Sequence, residues 1–246
     1  MQPLLMGAIH FLHIRKTGGN ALKAALRPVA EDYSLIIHDH QTTLRDVPAG
    51  ERLAFIIRNP VDRFVSGFNS RLRMGRPLLN SKWSAEEAEA FARFKTPNDL
   101  AEALTEGDEN DAALKAMHDI AHVRTSFADT LGSREDVRDR LEDIIWIGRT
   151  ETLDRDFELL KFRLGLPSET ALPLDPVAAH RTPEGFSTAL SETGRRNLTA
   201  WYAADIEFLA WLEHQRWALG PARRQSGAIR NPGSASRGAL APILSR

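Results

Sequence analysis

Three short groups of residues carry side chains suited to holding an anion or moving a proton. The first is Lys16-Thr17-Gly18-Gly19-Asn20. Its glycines let backbone N–H groups approach an anion, a helix beginning behind them adds its positive end, and the lysine supplies a mobile point charge. Both glycines follow the lysine, so the G-x-x-x-x-G-K-[ST] order of an ordinary ATPase loop is not met. The second group is Arg58 with Ser66. A guanidinium fork and a hydroxyl near a helix N-terminus suit a second phosphate, and the spacing of Arg63 and Ser66 puts both on the polar side of that helix. His38 and His40 form the third group. In an extended segment they point to the same face, and an imidazole with an ordinary pKa of about 6.5 is matched to accept a hydroxyl proton near neutrality.

Elements must position these groups. An apolar run from Ala8 to Ile14 breaks at Arg15 and is followed by helical composition from Asn20 to Leu26. Further apolar runs, Tyr33 to Ile37 and Leu53 to Ile57, end in His38-Asp39-His40 and Arg58-Asn59-Pro60 and read as buried parallel strands. Asn59 caps the next helix, with Pro60 at its first position and Asp62 in its first turn. Val61, Phe64, Val65, Phe68 and Leu72 give that helix one apolar face. A helical insertion runs over about 82–131, where Ser84 pairs with Glu87 in a capping box and Thr96-Pro97 opens a second segment. Ile144 to Gly148 is a fourth strand, followed by a helix around Phe157 to Leu160 that stops at Gly165, and a last helix runs from about Ser191 to Trp217. The alternation predicts an α/β fold: a P-loop-like parallel β-sheet flanked by helices, within a domain over 1–219. From 220 to 246 the Gly/Pro/Ser/Arg composition reads as a disordered tail. In parallel sheets ligands sit beyond the carboxyl ends of the strands, where all three groups fall.

Composition narrows the chemistry. Among 246 residues, 32 basic side chains face 33 acidic ones for a net charge of -1, so no global field draws the chain to nucleic acid or anionic lipid. Cys is absent, which removes thiolate nucleophiles and Cys-ligated metals and fits a reducing compartment. No run of about 18 apolar residues occurs, and the expectation is a cytoplasmic protein without a membrane span. Two patterns imitate metal sites, His38-Asp39-His40 and His118-Asp119-Ile120-Ala121-His122. The second places Asp one methylene short of the usual glutamate, neither has an evident third ligand, and no metal is expected. His118 and His122 read instead as one face of an insertion helix near the site, and His180-Arg181 belongs to a Pro-flanked loop placed to close over a bound ligand.

His13-Ile14-Arg15-Lys16-Thr17-Gly18-Gly19-Asn20-Ala21-Leu22 resembles the H-I-P-K-T-G-G-T-S-L loop of the sulfotransferases that use 3'-phosphoadenosine 5'-phosphosulfate (PAPS). The segment Arg58-Asn59-Pro60-Val61-Asp62-Arg63-Phe64-Val65-Ser66-Gly67-Phe68 is similar to the same family's R-D-P-x-x-R-x-x-S-x-F/Y site. The likeness is to the carbohydrate-type enzymes, including heparan sulfate 2-O-sulfotransferase and bacterial relatives. Arg15 stands for a common proline, Asn20 for Thr or Ser, and Asn59 for Asp. The resemblance implies that Lys16 meets the phosphosulfate, with Arg15 as a second cation beside the sulfate. It places Thr17, Gly18, Gly19, Asn20 and Ala21 around the 5'-phosphate, and Arg58 and Ser66 on the 3'-phosphate. The paired histidines supply a general base, with His38, nearer the strand end, ahead of His40. The expected reaction moves a sulfuryl group from PAPS to a hydroxyl of a carbohydrate or glycoconjugate. A P-loop-like kinase using ATP and a non-catalytic nucleotide-binding module are the alternatives.

Overall fold

A computed structural model describes residues 7–105, 107, 110–179 and 181–219. The expected tail over 220–246 and His180 lie outside the described residues. Strands β1 (Ile9–Leu12), β2 (Leu35–Ile37), β3 (Arg52–Ile57) and β4 (Ile144–Arg149) form one parallel sheet in the order β2-β1-β3-β4. Each coincides with an apolar run read from the sequence. Around the sheet stand α1 (Gly19–Leu26), α2 (Pro60–Leu72), α8 (Leu153–Leu164) and α10 (Ala203–Ala218), in a chain that also forms α3 (Ala85–Arg93), α4 (Pro97–Glu102), α5 (Asn110–Asp119), α6 (Ala128–Leu131), α7 (Arg134–Arg138) and α9 (Glu192–Trp201). No helix among the described residues is long and apolar enough to cross a membrane.

The strands are apolar on both faces because both faces are covered. Leu12, Leu53, Phe55 and Ile57 pack toward Phe208 and Leu212 of α10. Phe11, Ala54, Ile56 and Trp146 pack toward Leu22 and Leu26 of α1 and Phe157 and Leu160 of α8. A third core joins Phe64 and Phe68 of α2 to Phe91, Leu100, Met117 and Leu198, which anchors the helical insertion and α9. Local signals set the boundaries. Asn59 Oδ1 accepts from the Val61 N–H at 2.9 Å, and Pro60 occupies the first position of α2. Ser84 and Glu87 form the capping box of α3, and Gly165, at φ 65, ends α8.

Two expectations are corrected. Arg63 is not on a solvated side of α2: it is 2% exposed, ion-paired with Asp205 of α10, and its guanidinium lies 4.7 Å from the Phe127 ring centroid. The insertion and α10 cover the side that a one-sided amphipathic reading leaves to water. Arg63 Nη2 also donates to the Thr125 carbonyl at 2.7 Å, while Asp205 accepts from the Phe127 N–H at 3.2 Å. Nor is the stretch from Ser191 to Trp217 one helix. It breaks at Tyr202, whose buried hydroxyl donates to the Val123 carbonyl at 2.8 Å.

Close packing also marks the turn from β1 to α1. A Cβ at Gly19 would fall 2.2 Å from Cδ2 of the buried His13 ring. Gly19→Ala is expected to lower unfolding free energy by about 1–3 kcal/mol through this overlap, measured by urea denaturation. Asp205→Asn strands the buried Arg63 charge and is expected to remove about 3–5 kcal/mol in the same measurement. A loss below about 1 kcal/mol would show that Arg63 finds another partner or water.

Candidate functional site

The site begins where the chain leaves β1. Lys16 (φ 64) and Gly18 (φ 88) take left-handed conformations before α1 starts at Gly19. A lysine in that region stores on the order of 1 kcal/mol of strain and persists only where its surroundings enforce the shape. Three side-chain donors do so. Thr17 Oγ1 donates to the Ile14 carbonyl at 2.9 Å, Thr150 Oγ1 to the Thr17 carbonyl at 2.6 Å, and Arg58 Nη1 to the Lys16 carbonyl at 3.1 Å. Carbonyl groups of the turn are thereby engaged from β3 and the end of β4. The first N–H groups of α1, at Gly19 and Asn20, have no intrahelical acceptor, as at any helix start, and face a loop shaped to receive an anion.

Positive charge collects around this loop, with Glu151 and Asp62 the carboxylates that act on Arg58. Burial, then Arg73 and Arg58, lowers the Lys16 ammonium to about 8. Arg58 is itself pushed down by burial, and its Nε is buried with no protein partner. Arg73, just after α2, likewise leaves Nη1 buried and unpartnered. Unpaired buried donors of this kind are costly unless a ligand meets them, and an anion both satisfies them and restores the lysine charge. Ser66 is half-buried on α2, and Asn20 and Arg15 are half-buried on the loop. Sequence reading missed Arg73. Its signal was the polar stripe Ser66, Asn69, Ser70, Arg73 at helical spacing.

Four histidines meet in two pairs around β1 and the segment after β2. His10 Nδ1 lies 2.9 Å from His38 Nε2, with ring centroids 5.0 Å apart. The His40 and His13 ring centroids lie 3.8 Å apart with the planes tilted by 39°, and His40 Nδ1 donates to the His13 carbonyl at 3.1 Å. That bond fixes the proton on Nδ1 and leaves the lone pair on Nε2. Burial first, then the neighbouring His40 and cations, hold His13 down to about 2, so its ring is neutral. His38 and His40 are both lowered, chiefly by burial. The charges acting on His40 include Arg15 and Lys16, whereas those acting on His38 are His10, Asp39, Lys23 and Asp46. His40 therefore belongs with the glycine loop, and His38 with His10.

His118 and His122 do not share a helical face. His118 is in the last turn of α5, which ends at Asp119, and His122 lies in the turn beyond. His122 nonetheless comes up to the loop, with burial and then Lys16 lowering its ring to about 3. Its approach relies on Gly67, where a Cβ would stand 2.7 Å from the His122 carbonyl. No group of three or more metal-ligating side chains forms among the described residues.

Beside the loop, a cavity of about 400 Å³ is bordered by Gly18, Ala21, Thr152, Leu153, Leu172 and Arg181. Its wall is stiffened by Asp156, which accepts from the Arg149 N–H at 2.9 Å and from Arg216 Nη2 at 2.6 Å. The loop to which the sequence assigned a closing role thus contributes Arg181 to this wall. A mixed apolar and polar cleft continuous with an anion loop fits a nucleoside.

No curated protein matches the chain. The profile of the sulfotransferase family matches residues 8–211. That span includes the whole sheet, the glycine loop, α2, the helical insertion and the start of α10, and the chain belongs to the sulfotransferase family.

Proposed function

We propose that this sulfotransferase takes its sulfuryl group from PAPS and delivers it to a carbohydrate or glycoconjugate hydroxyl, with Lys16 and His40 performing the chemistry. The observation that carries the reading is the gathering of Lys16, Arg58 and Arg73 around a glycine loop, with buried donors on Arg58 and Arg73 that no protein group meets. A donor with phosphates at both 5' and 3' positions would engage two such sites, and ATP gives no reason for Arg58 and Ser66. The loop N–H groups and Lys16 hold the phosphosulfate, Arg58 and Ser66 hold the 3'-phosphate, and the 400 Å³ cavity receives the nucleoside.

The acceptor oxygen forms a bond to sulfur as the bridging S–O bond breaks. The electron pair of that bond leaves on the 5'-phosphate, giving 3',5'-ADP, where the Lys16 ammonium offsets the growing charge. The hydroxyl proton passes to Nε2 of His40, whose other nitrogen is tied to the His13 carbonyl. His40 is placed ahead of His38 because it meets His13 at the start of the glycine loop, whereas His38 pairs with His10 within β1. No step requires a metal. The lack of Cys supports a reducing, cytoplasmic setting as part of the same reading.

Calorimetric titration is expected to show 3',5'-ADP binding more tightly than ATP, and Arg58→Ala with Ser66→Ala is expected to weaken it at least roughly tenfold. Preference for ATP would move the assignment to a kinase. His40→Ala is expected to keep 3',5'-ADP affinity while slowing labelled sulfuryl transfer from PAPS to carbohydrate acceptors by about 10²–10⁴-fold. Equal turnover in His40→Ala, with loss in His38→Ala, would return the base to His38.

A further inference from the structure

The transfer step leaves His10 without a task. In β1 it stands among Ile9, Phe11 and Leu12, and it is 8% exposed. An apolar side chain would suit this place in the strand, and an imidazole buried there needs a partner to offset the loss of water. That partner is His38, whose Nε2 lies 2.9 Å from His10 Nδ1. Register explains the meeting. His10 is opposite Ile36 of β2, and His38, two residues on, projects from the same side of the sheet. Burial above all holds both rings below the ordinary histidine value, so near neutrality the pair is uncharged and one N–H faces one lone pair.

What the pair holds is the segment that carries His40. Just past β2, the His38 N–H donates to the Phe11 carbonyl at 3.1 Å and continues the ladder by one residue. The chain then turns, with Asp39 Oδ1 accepting from the Gln41 N–H at 2.8 Å. His40 meets the start of the glycine loop, its ring centroid 3.8 Å from that of His13 and its Nδ1 on the His13 carbonyl. His38 is thus the point where this segment leaves the sheet, and its ring is tied to a side chain that β1 fixes. Without that tie the ladder bond alone sets where the turn begins, and a displacement of about 1 Å at a reacting group can cost about 10²-fold in rate. His10 precedes the stretch from His13 to Leu22 that resembles the sulfotransferase loop, so the resemblance assigns it no role.

We propose that His10 is a positioning residue: by pairing with His38 it holds the turn over 38–41 in the place that ties His40 Nδ1 to the His13 carbonyl and leaves His40 Nε2 free to take a proton. The proposal deepens the sulfotransferase reading above and rests on His40 as the base. His38 serves as a tether.

The test is long-range proton–nitrogen NMR of the full chain labelled at its histidines, with 3',5'-ADP calorimetry to check the donor site. In the wild type His40 is expected as the Nδ1–H tautomer with an unprotonated Nε2. His10→Leu is expected to turn His40 into a mixture of both tautomers. It is also expected to slow sulfuryl transfer from PAPS to carbohydrate acceptors at least roughly tenfold, through kcat, with the KM for PAPS and the 3',5'-ADP affinity unchanged. His10→Asn is expected to restore the tautomer and most of the rate, because its amide can donate to or accept from His38 Nε2. His38→Ala cuts the same tie from its half-buried end and is expected to loosen His40 in the same way, which decides the matter if His10→Leu fails to fold. In a His40→Ala background, His10→Leu is expected to add no further loss of rate. A fixed Nδ1–H tautomer in His10→Leu and His38→Ala, a His10→Asn no better than His10→Leu, or a loss that adds in full to that of His40→Ala overturns the proposal. Equal turnover in His40→Ala overturns the base assignment and this proposal together. A His40 indifferent to residues 10 and 38, in a chain that binds 3',5'-ADP and needs His40, overturns this proposal alone.

Discussion

One guanidinium joins the three parts of the molecule. Arg63 belongs to α2, donates to a carbonyl in the insertion at Thr125, and pairs with Asp205 on α10. Burying an arginine this completely is tolerable only because the carboxylate, the carbonyl and the Phe127 ring meet it together. The helix so clamped carries Ser66 and follows the strand end that bears Arg58. The placement of Ser66 beside Arg58 thus follows from a contact that makes no use of an anion. Val123 and Thr125, held by Tyr202 and Arg63, also fix the segment that brings His122 to the glycine loop.

Around the loop the design is reversed. Arg58 and Arg73 keep buried donors that no protein group meets, and the lysine beside them sits in a strained backbone conformation. The fold compensates with apolar packing on both faces of the sheet and with ties from Thr150 and Arg58 to the loop carbonyls. Such arrangements exchange stability for a prepared field. A dianionic phosphate entering this field releases repulsion as well as forming hydrogen bonds.

Much of this was legible from residue order. Strands show as apolar runs because both sheet faces are buried, and Asn59-Pro60 and Ser84 to Glu87 mark helix starts through local hydrogen bonds that need no tertiary information. That Arg58 would meet the turn bearing Lys16 was legible because a glycine turn and an arginine both fall at the carboxyl ends of parallel strands. Arg63 was misplaced since an amphipathic reading assumes that one side of a helix meets water, and here the insertion covers it. The break at Tyr202 has no glycine or proline to announce it, and the residue there is tied to Val123, far away in sequence. Arg73 and His122 reach the site through the docking of α2 and the insertion, which no local pattern encodes. The partners of His38 and His40, His10 in β1 and His13 after it, are likewise set by packing that no local pattern encodes.

The contact of Gly19 with His13 bears on how this loop can change over generations. The ring occupies the volume that any larger residue at 19 would need. Shrinking His13 first opens a void beside His40, whose ring lies against it. Enlarging Gly19 first creates a collision in the buried turn. The two positions are therefore one unit of variation, and a lineage can cross between loop types only by a step that is unfavourable alone and neutral once its companion has arrived.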